Sequence, residues 1–128
     1  MDELEKLRKH WQDDDFQRKH ALAREIVVNR LRELNREYEE KTGQGFVRFI
    51  ETRMKTPESI AEKLQRKDYD VDFDTAVTAL NDISGVRCIC YSVKEIYWIA
   101  RQIGKTDTYT VVKAKDYIRK PKKNRHIY

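Results

Sequence analysis

Apolar residues recur along the first third of the chain at helical spacing. Val27, Leu31, Leu34 and Tyr38 step by four, three and four, which is one face of a helix. Residues 3–41 are rich in Glu, Lys, Arg and Leu, so the whole region reads as helical. The Asp13-Asp14-Asp15 cluster predicts a break into two helices, with Asp15 capping the second. Thr42-Gly43-Gln44-Gly45 reads as a helix stop and turn. Phe46 to Met54 mixes apolar and polar residues and reads as a short connector, open to helix. Thr56-Pro57-Glu58 is a helix start, with Thr56 as N-cap and Pro57 at the first helical position, and the helix runs to about Arg66. Asp68-Tyr69-Asp70 is a loop. Asp72 to Leu80 reads as another short helix, with Phe73, Ala76, Val77 and Leu80 on one face, and Asn81-Asp82 as a turn.

The pattern then changes. Gly85 to Tyr91 is a β-rich run, and Val93 to Ile103 is an amphipathic helix with Ile96, Ile99, Ala100 and Ile103 inward, stopped by Gly104. Tyr109 to Lys113 reads as a second strand. Strand, helix and strand within about 30 residues predict a βαβ-like unit and an α/β (mixed α+β) chain.

A length of 128 residues suits a single domain, with residues 1–45 as N-terminal helices and 46–128 as the mixed core. Charged residues make up 38% of the chain and hydrophobic ones 39%, enough for a small core under a heavily charged surface. The net charge of +5 suits phosphate ligands or nucleic acid. No apolar run is long enough to span a membrane and the N-terminus, MDELEKLRKHW, has no apolar signal region, so the expected location is cytoplasmic. Cys88 and Cys90 point to one face of a strand and read as reduced core thiols. With three scattered histidines they make no zinc spacing.

Candidate chemistry begins with RMKTPESIAEKL, residues 53–64. A helix N-terminus favours anions, yet Arg53 and Lys55 stand just outside it and Lys63 lies one turn past Ser59. A polyphosphate held by free helix N–H groups, the Ser59 hydroxyl, Arg53, Lys55 and Lys63 accounts for this crowding. A solvated face with Lys63 paired to Glu58 or Glu62 is the competing account. In Asp82-Ile83-Ser84-Gly85-Val86-Arg87, Asp82 stands at a strand mouth, where one carboxylate suffices for Mg²⁺ if phosphate and water complete the shell. Arg87 can reach the same phosphates, or else serve as an edge-strand charge. The basic segment from Lys113 to Arg125 reads as a second nucleotide site, an RNA-contacting arm or a solvated tail.

Taken in order, RMKTPESIAEKLQRK, DISGVRCICYSVKEIYWIA and KDYIRKPKKN resemble the synthetase domain of RelA/SpoT-type alarmone synthetases, above all the small single-domain GTP pyrophosphokinases. The resemblance runs from about Leu31 to Asn124. It implies a nucleotidyltransferase-like (DNA polymerase beta-like) core and transfer of pyrophosphate from ATP to the 3′-hydroxyl of GTP or GDP. It implies that Arg53, Lys55, Ser59, Lys63 and Arg87 bind ATP, that Asp82 holds Mg²⁺, and that Lys115, Lys122 and Asn124 hold the guanine nucleotide. It also implies a homo-oligomer, since small members form tetramers.

The resemblance stops at the end of the chain. After Asn124 the family continues Gly-Tyr-Arg-Ser-Leu-His, whereas this chain reads Arg125-His126-Ile127-Tyr128. The family's general base is a glutamate in a later Glu-x-Gln-x-Arg-type strand, which these residues lack. The expectation is therefore a truncated synthetase domain, inactive alone. The alternative is a nucleotide- or RNA-binding regulatory module without catalysis.

Overall fold

The computed structural model describes residues 1–121. Helix α1 spans Glu3–Trp11 and α2 spans Asp14–Thr42. Strand β1 is Val47–Met54, α3 is Pro57–Arg66 and α4 is Phe73–Ala79. Strand β2 is Ser84–Cys90 and α5 is Val93–Ile103.

Side-chain caps set the helix starts. Asp2 accepts the Glu5 N–H at 2.8 Å, and Thr56 accepts the Ser59 N–H at 3.2 Å. The break between α1 and α2 falls as expected, but Asp13 caps the second helix, accepting the Phe16 N–H at 2.9 Å. Asp15 instead lies in the first turn and pairs with Arg18. Helix α2 ends at Gly43, whose φ of 87° is the left-handed conformation that glycine adopts without strain. Glu95 is buried, and its Oε1 accepts the N–H groups of Tyr91 (2.8 Å) and Ser92 (2.9 Å), which pins the entry to α5.

Two sequence expectations are corrected. Residues 47–54 form a strand, paired antiparallel with β2 in the register Glu51 opposite Arg87, Arg53 opposite Gly85 and Met54 opposite Ser84. Its partly buried residues, Val47, Ile50 and Met54, are spaced three and four apart, because the register shifts between Val47 and Phe49. A shift of this kind breaks the period of two and imitates a helix. Conversely, Tyr109 to Lys113 is irregular. Its β-forming composition meets no partner strand among the described residues, and the sheet there has two strands rather than a βαβ arrangement.

The core lies where α1, α3 and α4 meet. Leu7 and Trp11 pack with Ile60, Ala61 and Leu64, and with Ala76, Leu80 and Ile83. Leu31, Leu34 and Phe46 are also buried, and Tyr38, Phe46 and Trp98 meet with ring centroids 4.9–6.0 Å apart. Three residues placed inward by periodicity are exposed: Val77, Ile96 and Ala100. Cys88 and Cys90 are free but half-buried rather than in the core, and burial pushes the Cys90 thiol up to about 12.

Asn35 of α2 fixes where β1 begins. Its Oδ1 accepts the N–H groups of Phe46 (2.8 Å) and Val47 (3.0 Å). A Cβ at Gly45 would sit 2.6 Å from that oxygen, so the close approach demands glycine.

Candidate functional site

Strand β1 delivers Lys55 just past its end. The Lys55 N–H donates to the Ile83 carbonyl at 2.8 Å, extending the β1–β2 pairing by one residue, and the Lys55 carbonyl accepts the Trp11 indole N–H at 2.8 Å. Helix α3 supplies Lys63, and the turn between α4 and β2 supplies Asp82. Lys55 Nζ and Lys63 Nζ both lie on Asp82 Oδ2, at 2.9 and 2.7 Å.

Burial pushes the Asp82 carboxyl up, but the hydrogen bonds and charges of Lys63 and Lys55 outweigh it and hold the group below its ordinary range. The second oxygen, Oδ1, is buried without a hydrogen-bond partner among the described residues. That orphaned acceptor retains lone pairs for a cation. Among the described residues no three His, Cys, Asp or Glu side chains gather to enclose a metal. Asp82 therefore fits Mg²⁺ only where phosphate and water supply the remaining oxygens, which is the usual mode of that ion.

Alternation along β1 puts Glu51, Arg53 and Lys55 on one face, opposite Arg87 and Gly85 of β2. Arg53 and Arg87 line a concavity of about 200 Å³ with Glu51, Gly85 and Val86, and Arg87 pairs with Glu51 at 3.5 Å. Lys55, Lys63 and Asp82 thus come together, while Arg53 and Arg87, 34 residues apart in sequence (53 to 87), share a concavity on the strand pair that leads to Lys55.

The helix start itself is less open than the sequence reading supposes. Pro57 has no N–H, the Ser59 N–H is taken by Thr56 Oγ1, and the Ile60 N–H is taken by the Thr56 carbonyl. Capping and anion binding compete for the same donors, and the Ser59 N–H is committed to the cap. Ser59 is exposed in the first turn. Nor does Lys63 pair with Glu58 or Glu62. Glu58 accepts from Arg8 Nε at 2.8 Å, and that hydrogen bond first of all lowers its pKa.

Lys115 lies apart, in an open concavity with Asp116, Tyr117, Arg119 and Lys120, its Nζ 6.0 Å from the centroid of the Tyr117 ring. Asp116 orders that segment. It accepts the Tyr97 hydroxyl at 2.8 Å and the N–H groups of Ile118 and Arg119, both at 3.0 Å. Lys122 and Asn124 lie outside the described residues.

Sequence reasoning missed the supports. Trp11 holds the Lys55 carbonyl, and Ser84, at the head of β2, is held from α2 by Arg24 (2.9 Å) and by His20 Nδ1 (2.8 Å). These partners lie 44 to 64 residues away, and no local spacing signals them. Burial, then the Arg24 charge, lowers the His20 pKa.

No helix among the described residues is long and apolar enough to cross a membrane. Residues 52–127 match a family model described as a region found in RelA / SpoT proteins. The GTP pyrophosphokinase YwaC of Bacillus subtilis (strain 168) is 30% identical over 124 residues, covering 97% of this chain and 58% of that protein. The small alarmone synthetase 1 of Bacillus subtilis bound to its product pppGpp superposes with a TM-score of 0.70 at 27% identity, over 87% of this chain and 57% of that one. The same synthetase bound to AMPCPP gives 0.66 at 28% identity, over 83% and 57%. The chain thus spans somewhat more than half the length of the relatives it matches, and it shares the nucleotidyltransferase-like fold of the small alarmone synthetases.

Proposed function

The chain belongs to the RelA/SpoT family, and on that premise we propose that it binds ATP with magnesium for pyrophosphoryl transfer to the ribose 3′-hydroxyl of GTP or GDP. One observation carries the reading. Lys55 and Lys63 meet on Asp82 Oδ2, and the strand that leads to Lys55 also carries Arg53, which lines a concavity with Arg87. Solved relatives are bound to AMPCPP and to pppGpp, which supports a triphosphate donor and a guanine product.

The residues divide the work by their chemistry. Arg53 and Arg87 offer planar forks for phosphate oxygens, and Lys55 and Lys63 offer compact charges from two further directions. Cations from β1, α3 and β2 therefore restrain the triphosphate at several points at once. Such restraint matters because phosphoryl-type transfer depends on positioning and charge neutralisation. The Ser59 hydroxyl adds a neutral donor at the α3 start. Asp82 would hold magnesium, which when bound neutralises charge on the donor phosphates. Lys115, with Lys122 and Asn124, would hold the acceptor nucleotide. Deprotonating the 3′-hydroxyl needs a base. The family resemblance assigns it to a Glu-x-Gln-x-Arg-type strand, and no such motif occurs in these 128 residues. On this reading the 128 residues supply contacts to donor, metal and acceptor, and the base of that motif is not among them.

Titration with an ATP analogue tests the site. Arg53→Ala and Lys55→Ala should each weaken binding roughly tenfold or more, the worth of one charge-assisted hydrogen bond. Unchanged affinity in both removes the assignment. Incubation with ATP, GTP and Mg²⁺ should yield no guanosine tetra- or pentaphosphate, and robust product refutes the argument from the missing glutamate.

The exposed cations around the Lys115 concavity favour a second reading, RNA binding without catalysis. Affinity for a single-stranded RNA should then fall steeply with salt and depend on Lys120. Binding that ignores both excludes it.

A further inference from the structure

One carboxylate and two ammonium groups face each other at Asp82, and the pairing is lopsided. Both ammonium groups contact Oδ2, while Oδ1 has no hydrogen-bond partner among the described residues. The Lys55 and Lys63 side chains are only 18% and 19% exposed, against 42% for Asp82. Covered to that extent, each lysine finds on Asp82 much of the acceptor capacity that water supplies elsewhere. A lone divalent cation approaching Asp82 meets a single carboxylate and the repulsion of both ammonium groups. A lone polyphosphate meets two cations already engaged and a carboxylate of its own sign.

We propose that this triad exchanges partners as a unit. Nucleotide phosphates take Lys55 and Lys63 away from Asp82, and the carboxylate so released takes the divalent cation that travels with the nucleotide. In the ligand-free chain Asp82 stands in for phosphate toward the lysines, and the lysines stand in for the metal toward Asp82. The exchange deepens the assignment of ATP to this site and rests on it. Its consequence is selectivity for the metal–nucleotide complex over either component. Nucleotide strips Asp82 of its counter-charges, so each ligand raises the affinity for the other by the same factor. It follows that Asp82 opposes metal-free nucleotide. An amide in its place neither holds the lysines as firmly nor repels phosphate.

Calorimetric titration with a non-hydrolysable ATP analogue, in EDTA and in Mg²⁺, reads this directly. For the unaltered chain Mg²⁺ should raise affinity about tenfold, within the range of linked sites. Asp82→Asn should bind the analogue in EDTA about tenfold more tightly than the unaltered chain and gain nothing from Mg²⁺. Asp82→Ser serves the same purpose should the amide variant fail to fold. Spin resonance of Mn²⁺ should show the ion free with protein alone and bound once the analogue is added. If the Asp82 variants bind metal-free analogue no more tightly, while Lys55→Ala and Lys63→Ala weaken it, the nucleotide site stands and the exchange is wrong. If the lysine variants have no effect, the nucleotide assignment itself fails.

Discussion

Trp11→Phe is the sharpest probe of how the fold holds the cation cluster. The indole is 7% exposed, packs with tilted and edge-on geometry against Phe16 and Phe73, and donates its N–H to the Lys55 carbonyl at 2.8 Å. Phenylalanine keeps an aromatic ring there but deletes the donor and two ring carbons. Losing the hydrogen bond costs about 1 kcal/mol net, and more if the carbonyl stays dry. Losing the two buried carbons costs about 1.5 kcal/mol, at about 0.8 kcal/mol for each carbon group. Unfolding free energy should therefore drop by about 2–3 kcal/mol, read by urea denaturation followed by circular dichroism. Because Lys55 follows β1 directly and pairs with Asp82, freeing its carbonyl should also loosen the Lys55 ammonium. Affinity for an ATP analogue should fall several-fold under conditions where the variant is fully folded. A variant within about 0.5 kcal/mol of the parent, the scatter of ordinary surface changes, with unaltered nucleotide affinity would refute the coupling of α1 to the site.

Two further outcomes follow from the supports around the site. Burial and Arg24 hold the His20 pKa below its ordinary value of 6.5. A depressed histidine contributes stability that is present above 6.5 and lost as pH falls through its folded value. His20→Gln should thus flatten the decline in stability below pH 6.5 (thermal melts at stepped pH), and an unchanged slope disproves the link. Gly45→Ala forces a Cβ to within 2.6 Å of Asn35 Oδ1, which holds the N–H groups of Phe46 and Val47. It should cost about 1–3 kcal/mol, the penalty for unsatisfied buried groups, and amide exchange at Phe46 and Val47 should accelerate. Protection equal to the parent's shows that Asn35 does not set the strand entry.

Features written within one turn of chain were legible in the residue order. Thr56 and Pro57 specify the start of α3, the Val93–Ile103 periodicity specifies α5, and the run after Ile83 specifies β2. Each rests on contacts among residues three or four apart, or on intrinsic backbone preference, and needs no distant partner. The kinds of residue at the site, and the likeness of three ordered motifs to a known family, were legible too. Strand β1 was not, because its register shift spaces Val47, Ile50 and Met54 like a helix. Tyr109–Lys113 misled in the opposite direction, since β-forming side chains make a ladder only beside another strand. The residue order offered Lys63 only its helix neighbours Glu58 and Glu62 as carboxylate partners, because nothing local points to Asp82, 19 residues further on. Packing of α3 against α1 and the antiparallel pairing of β1 with β2 bring Asp82 to within 3 Å of two lysines, one of them 27 residues away (55 to 82). Coulomb attraction falls with distance, so it chooses a partner only after hydrophobic burial and strand pairing have set the separations.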